Sequence, residues 1–412
     1  MQEQKLAQRV LRIEESPSGA AAERVRRLRA EGHRILSLTV GEPDFDTPRN
    51  VKDAAIAAIE AGDTKYTSGN GTAALRNAVL DRVERRTGQR YTEAQLAVGV
   101  GGKQVIFTAL QATLDAGDEV IIPAPYWVSY PDMVRANEGE PVILETREEH
   151  GFRLQPEQLR AALTERTRWI ILNAPSNPTG AVYSAEQLRA LADVLADHPG
   201  VEVLTDEIYD EIHYGEDRVV SIVEAAPELR ERVFVVNGVS KTYAMTGWRV
   251  GYGVGPEYLV REINKLHSQT TSSTASISQA AAAEALAGDQ SAVPAMVEVY
   301  RSRRDLVVAG INSIAGLSTL SPDGAFYLYV NCAELLGRTT PSGSLLANDE
   351  DVALYLLEEA KVAVVHGGAY GLSPFFRISF ATDEATLTEA VEALRGAVAK
   401  LVRTADAREG SR

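Results

Sequence analysis

Three short stretches, RWIILN at 168–173, VEVLTD at 201–206 and RVFVVNG at 232–238, are nearly all apolar until they end on polar residues. Runs of that length without alternation fit strands covered on both faces, as in a parallel sheet between helices. DEVIIP at 118–123 is a fourth strand candidate. Helical periodicities with end signals lie around them. TPRNVKDAAIAAIEAGD at 47–63 offers Thr47 as a cap, Pro48 in the first turn and Gly62 as a stop. SAEQLRALADVLADHPG at 184–200 opens on Ser184 with Gln187 three residues on, a capping-box spacing. This alternation of periods predicts an α/β fold with a largely parallel sheet.

Past about residue 290 the pattern changes. A long helical stretch at 296–316 leads to YLYVN at 327–331, VAVV at 362–365 and FFRISFA at 375–381, then to a last helix at 385–401. The expected organisation is an N-terminal arm over 1–47 joining a smaller unit, a large sheet unit over 48–295 and a smaller C-terminal unit over 296–412. The arm is expected to pack on the small unit or on a partner subunit.

Composition narrows the partners more than the fold. A formal charge of −15 over 412 residues argues against nucleic acid or an anionic membrane, although local basic sites for small anions stay compatible with it. One cysteine, Cys332, excludes an intrachain disulfide and a multi-cysteine zinc site, and no metal is expected. The opening MQEQKLAQRVLRIEE lacks the apolar core of a secretion signal, and no run approaches a membrane-spanning length. A cytoplasmic location is the expectation.

The chemistry is suggested by where the polar residues fall. RWIILN ends on Asn173 and runs into APSNPTG; VEVLT ends on Asp206, followed by EIY; RVFVV ends in NGVSK, with Lys241. Ligands of open α/β sheets sit outside the carboxyl ends of the strands, so these turns can converge on one pocket. Taken singly, each has a plain alternative. Asp206 could cap a helix, NPTG is a turn by composition, and Lys241 could be a solvated lysine. GGK at 101–103 could be a tight strand-to-helix turn or a helix N-terminus presented to a phosphate. Together they ask for a ligand with a phosphate, a group that welcomes a carboxylate and a carbonyl that condenses with an amine. Pyridoxal 5′-phosphate has all three.

The motifs TVGEPDFDTP, TKYTS, VGGKQ, PYWVSYP, NAPSNPTGAVY, TDEIYDEI, SKTYAMTGWRVGY and FRISFAT follow one another in this order. In that set the chain resembles the class I aminotransferases of the fold-type-I pyridoxal-phosphate enzymes, and among them the bacterial aspartate/prephenate subgroup. The resemblance implies a large domain with a mostly parallel central sheet between helices plus a smaller α/β domain. It implies that Lys241 binds the cofactor aldehyde and then moves the substrate α-proton, with Asp206 on the pyridine nitrogen. Tyr209 and Asn177 would hydrogen-bond the ring's phenolic oxygen, and Trp127 would stack on the ring. The phosphate would take N–H groups at Gly102 and Lys103, the Arg249 guanidinium and the Ser240 hydroxyl. Tyr66 would reach the phosphate of a neighbouring subunit, which implies a homodimer with shared sites. Arg377 would clamp the substrate α-carboxylate, helped by Gly41, Asn177 and Trp127, while Lys103 and Ser18 would face the side chain of the substrate.

Three stretches depart from the subgroup. SPSGA at 16–20 stands where K-P-S-A-T is usual, GTAALR at 71–76 where G-I-P-x-L-R is usual, and ISQAAAAEAL lacks a common tryptophan. Drift in a loop and an altered substrate both fit these changes. Glu14 and Glu15 fit a cationic substrate tail or a plain helix face or hinge. The activity implied is ping-pong transfer of an amino group between an L-amino acid and a 2-oxo acid, with aspartate or glutamate and 2-oxoglutarate as the default pair. A specialised biosynthetic aminotransferase for an unusual amino acid, or a lyase, decarboxylase or oxidative enzyme on the same scaffold, stays open.

Overall fold

The computed structural model of the protein describes residues 6–14 and 17–402. Among these residues twelve strands run in chain order: β1 Leu36–Ser37, β2 Leu96–Gly99, β3 Glu119–Ala124, β4 Glu140–Glu145, β5 Thr167–Asn173, β6 Glu202–Asp206, β7 Val233–Gly238, β8 Gly251–Val254, β9 Tyr327–Asn331, β10 Val362–Ala363, β11 Val365–His366 and β12 Phe375–Ser379. Seven of them form the central sheet in the order β2-β8-β7-β6-β5-β3-β4. The pairs among β3 to β7 are parallel, and only β8 runs against both of its neighbours.

The unbroken apolar runs do have two buried faces. Along β5, Ile170 and Leu172 enter one apolar cluster while Trp169 and Ile171 enter another. Val203 and Leu204 of β6 divide in the same way, as do Val235 and Phe234 of β7. Since successive side chains of a strand point to opposite faces, helices must cover both sides of the sheet, and a continuous apolar run is the consequence.

Two further strands of this sheet carry weak sequence signals. β4 is an edge strand whose residues are only partly buried. β8, GYGV, contains glycines that lower strand propensity. Packing requires them: a Cβ at Gly251 would lie 2.2 Å from the Gly102 nitrogen, and one at Gly253 would lie 2.2 Å from the Phe234 ring.

The C-terminal part builds a three-stranded sheet, β11-β12-β9, around Phe326, Phe376, Phe380 and Leu387. VAVV, read as one strand, is divided between two sheets. Val362–Ala363 pairs in parallel with Leu36–Ser37, whereas Val365–His366 pairs with β12. Val364 is where the chain passes from one sheet to the other.

Helix ends follow the expected signals with one correction. Ser184 accepts from the Gln187 N–H, and the reciprocal bond completes the capping box of Ala185–Ala196. Thr47 does not cap. The helix runs Arg49–Glu60 with Pro48 at the cap position, and the Thr47 hydroxyl instead donates to the Ala244 carbonyl at 2.8 Å. It also accepts from Trp248 Nε1 at 3.0 Å. A tertiary partner has displaced the local one, tying this helix to the segment that carries Lys241.

Candidate active site

β8 is antiparallel to both β2 and β7, so β2 and β7 point the same way. The turns after β2, β3, β5, β6 and β7, and the turn that enters β8, therefore share one edge of the sheet. Asn173 and Asp206 are direct register partners at that edge, and Asp206 is paired in turn with Val236. A cavity of about 520 Å³ opens there.

Lys241 stands on the turn after β7, and its Nζ donates to the Gly41 carbonyl. Burial pulls its ammonium down to about 8, against the opposing pull of Glu42. Desolvation penalises the charged form, so a neutral fraction exists close to physiological pH. Asp206 is buried and pushed up to about 6 by the same effect, while a bond from the Tyr130 hydroxyl to Oδ2, 2.7 Å long, works in the other direction. Its Oδ1 accepts from the Ile208 N–H at 3.3 Å, within a turn and not at a helix start. The helix-cap alternative for Asp206 does not hold.

Facing the same space is the helix Gly102–Thr113, whose first N–H groups have no acceptor within the helix. Gly101 precedes it with φ +99, and a Cβ there would lie 2.4 Å from Arg249 Nη2. Only glycine lets the guanidinium lie against this helix start. Arg249 has φ 57, a left-handed conformation uncommon for a side-chain-bearing residue. It donates to the carbonyls of Thr246 at 2.8 Å and Val100 at 3.2 Å. Lys103 lies 4.7 Å over the Trp127 ring and donates to Ser129 Oγ at 3.2 Å. Burial, then the nearby Arg249 charge, lowers its ammonium pKa.

Arg377 comes from β12 on the opposite side. It donates to Asn177 Oδ1 at 2.9 Å and to the Thr39 carbonyl at 2.6 Å, and among the described residues its buried Nε has no hydrogen-bond partner. Asn177 is held by its own N–H, which donates to Asn173 Oδ1 at 2.9 Å. The guanidinium stacks on Tyr327 at 4.5 Å and on Tyr370 at 5.2 Å.

The cavity thus brings together Gly41, Gly102, Lys103, Trp127, Asn177, Asp206, Tyr209, Ser240, Lys241, Arg249 and Arg377. Tyr66 is not part of its lining; it is 93% exposed and borders a separate depression with Thr64 and Ser273–Ile277. Ser18 belongs to the helix Pro17–Ala30, but its side chain lies outside the described residues, as do Glu15 and Ser16. Glu14 is described and exposed, and it borders a neighbouring groove with Lys103 and Arg249. Sequence reasoning missed Tyr130, Tyr327, Thr39 and Glu42. Tyr130 stands in PYWVSYP, so its motif was noticed while its own role was not. Thr39 and Glu42 likewise stand in TVGEPDFDTP, whereas Tyr327, inside the strand YLYVN, has no local signal.

Comparison with known proteins gives the family. Residues 33–394 match the family described as aminotransferase class I and II. The chain belongs to that family. An aspartate/prephenate aminotransferase of Cereibacter sphaeroides is 48% identical over 93% of this chain and 96% of its own length. An aspartate aminotransferase of Rhizobium meliloti is 50% identical over 91% of each. Among solved structures, that of an aspartate aminotransferase from Rhizobium meliloti covers 97% of this chain and all of its own, with a TM-score of 0.95 at 48% identity. One from Thermus thermophilus with maleate gives a TM-score of 0.89 at 40% identity. This enzyme is therefore an aminotransferase with the fold-type-I architecture, a mostly parallel central sheet flanked by helices. Among its described residues no helix is long and apolar enough to cross a membrane, and no cluster of metal-ligating side chains occurs.

Proposed function

We propose that this aminotransferase binds pyridoxal 5′-phosphate in the cavity and moves an amino group between an L-amino acid and a 2-oxo acid in two half-reactions. The observation that carries the reading is a charge imbalance. Lys103, Lys241, Arg249 and Arg377 each donate to neutral oxygens, against two acids lining the same cavity, buried Asp206 and exposed Glu42. Four cations held against carbonyl, amide and hydroxyl oxygens suit a ligand set with a phosphate and at least one carboxylate.

The residues fit the cofactor. The N–H groups of Gly102 and Lys103, Ser240 and Arg249 make a cradle of donors for a phosphate, with the start of the helix Gly102–Thr113 adding a favourable dipole. Asp206, whose ionised form the Tyr130 hydroxyl favours against burial, would match a protonated ring nitrogen. Trp127 offers an aromatic face, and Tyr209 and Asn177 offer a hydroxyl and an amide to a ring oxygen. When bound, pyridoxal phosphate supplies an aldehyde that condenses with amines and a ring that takes up the electron pair of a carbanion. Lys241 Nζ, with its lowered pKa, takes the proton from the substrate α-carbon and returns it. Arg377 grips the α-carboxylate in a fork, and its unpartnered Nε marks unused donor capacity.

For the substrates, aspartate or glutamate with 2-oxoglutarate is the default pair. Lys103 at the cavity wall suits a distal carboxylate, and the relatives carry aspartate in their names. The exposure of Tyr66, together with exposed Ile56 and Ile59, supports a homodimer in which Tyr66 serves a second subunit's phosphate. The division at residue 47 and near 295 belongs to the same proposal: Arg377 and Thr39 then approach the substrate from one side and Lys241 from the other.

The test is a panel of amino donors against several 2-oxo acids, with the bound cofactor followed by absorbance in each half-reaction. Conversion of the cofactor to its amine form by a donor, and back by an acceptor, is expected. A 2-oxo acid released without that conversion overturns the reading in favour of another reaction type.

A further inference from the structure

Tyr327 stands on β9, and its ring is fully buried. Its hydroxyl lies 2.8 Å from that of Tyr209, also buried, and either could be the donor. This is the one hydrogen bond found for each of the two hydroxyls among the described residues. The rings meet edge to face with centroids 5.8 Å apart, so both orientations are held by packing. The Arg377 guanidinium lies over the Tyr327 ring, 4.5 Å from its centroid. A carbon added at Gly41 would lie 3.0 Å from the Tyr327 oxygen, so the main chain at Gly41 closes that side.

A phenol has one proton to donate. If Tyr209 spends its proton on Tyr327, it has none for a ligand oxygen in the cavity it lines. We propose that Tyr327 is a positioning residue: it donates to Tyr209, which leaves the Tyr209 proton directed into the cavity. This rests on the reading above that Tyr209 faces the phenolic oxygen of the cofactor. A hydroxyl that accepts one hydrogen bond is polarised into a better donor of its own, so Tyr327 strengthens the contact as well as aiming it. Because Tyr327 also stacks on Arg377, the carboxylate clamp and the cofactor-facing hydroxyl are held by one side chain from the small sheet. The charged and titratable groups facing the pair are Arg377, Asp206, Tyr130, Tyr370 and Tyr300. Replacement by phenylalanine leaves all of them, and the ring under Arg377, in place.

The experiment is a pH titration of the bound cofactor's absorbance in four holoenzymes: wild type, Tyr209→Phe, Tyr327→Phe and the double variant. Donation to the phenolic oxygen favours its ionised form, so loss of the donor raises the pH midpoint. Tyr209→Phe should move it upward. Tyr327→Phe should move it the same way by less, roughly 0.5 unit or threefold in the proton equilibrium. In the Tyr209→Phe background Tyr327→Phe should add nothing. KM for amino donors should stay within about twofold while kcat falls, because the Arg377 stack survives. If Tyr209→Phe leaves the midpoint unchanged, the cofactor contact itself is wrong and the inference falls with it. If Tyr209→Phe moves the midpoint but Tyr327→Phe does not, or if its shift persists in the double variant, the contact stands and the role of Tyr327 is overturned.

Discussion

The two walls of the cavity are built on different principles. One is the carboxyl edge of the central sheet, where Asn173, Asp206 and Lys241 follow successive parallel strands and are brought together by strand register. The other is assembled from distant pieces: Thr39 and Gly41 from the N-terminal segment, and Tyr327 and Arg377 from the C-terminal part, with buried Tyr370 behind Arg377. On the first wall burial perturbs the acid and the amine, pushing Asp206 up and Lys241 down. On the second, a buried cation is kept on aromatic faces and neutral oxygens with donor capacity to spare. The first wall is arranged for proton and charge chemistry, the second for gripping a carboxylate.

That contrast can be broken at its strongest point first. Lys241→Ala removes the group that carries the proton, and turnover should fall by at least roughly 10³-fold with every substrate. Full activity in the variant would remove the basis for the first wall's role. Arg377→Ala should lower kcat/KM by roughly 100-fold, about 3 kcal/mol, and by similar factors for all α-carboxylate substrates. Steady-state kinetics on three or more donors checks this, and a loss confined to one of them contradicts a clamp that reads only the shared group.

A subtler change separates charge tuning from shape. Tyr130→Phe keeps the ring but deletes the bond to Asp206. That bond favours the carboxylate, so without it burial carries the Asp206 pKa further above about 6. Activity that requires the ionised acid declines as pH falls through this value. The acid limb of the kcat/KM profile should therefore move to higher pH, with about a tenfold loss at its lower end. An unmoved limb would mean that the tyrosine only fills space. Smallest is Thr72→Ala, outside both walls. Thr72 caps the helix Ala73–Thr87 by accepting from the Leu75 N–H, and its own N–H donates to Gln279 Oε1 at 2.7 Å. The variant should lose about 1 kcal/mol of stability by denaturant unfolding with kcat unchanged. A change in substrate preference instead would give GTAALR a place in recognition.

Thr72, Asn70 and Gln279 lie in or beside two of the stretches that depart from the subgroup, and all three make structural hydrogen bonds. Asn70 bridges to β2, accepting from the Val98 N–H at 2.9 Å and donating to the Leu96 carbonyl at 2.6 Å. Gln279 reaches Thr67 and the Thr274 carbonyl from within ISQAAAAEAL. These residues knit the loop that carries Tyr66 to the sheet and the following helix, a structural use that their composition alone does not reveal.

Much of the first wall was legible along the chain. A strand buried on both faces must be apolar, so the residue where the run turns polar marks the strand's carboxyl end, and that is where Asn173, Asp206 and Lys241 stand. GYGV was harder to read as a strand because its glycines answer to the Gly102 nitrogen and the Phe234 ring, neither of which is a neighbour in sequence. Thr47 misled for the same reason: a hydroxyl ahead of a helix suits a cap, yet Ala244 and Trp248 took it.

By itself the sequence determined the alternation of strand and helix, the polar strand ends and, through motifs in a set order, the family and its reaction class. Periodicity and propensity are local, and local order can be read in one dimension. Only the tertiary structure decided that Tyr130 steadies Asp206, that Tyr327 pairs with Tyr209 beside Arg377, and that Lys103, Lys241, Arg249 and Arg377 meet in one cavity that offers fewer acids than cations. Those facts depend on which side chains burial brings within 3 Å or so of one another, and the partners lie 76, 118 and up to 338 positions apart.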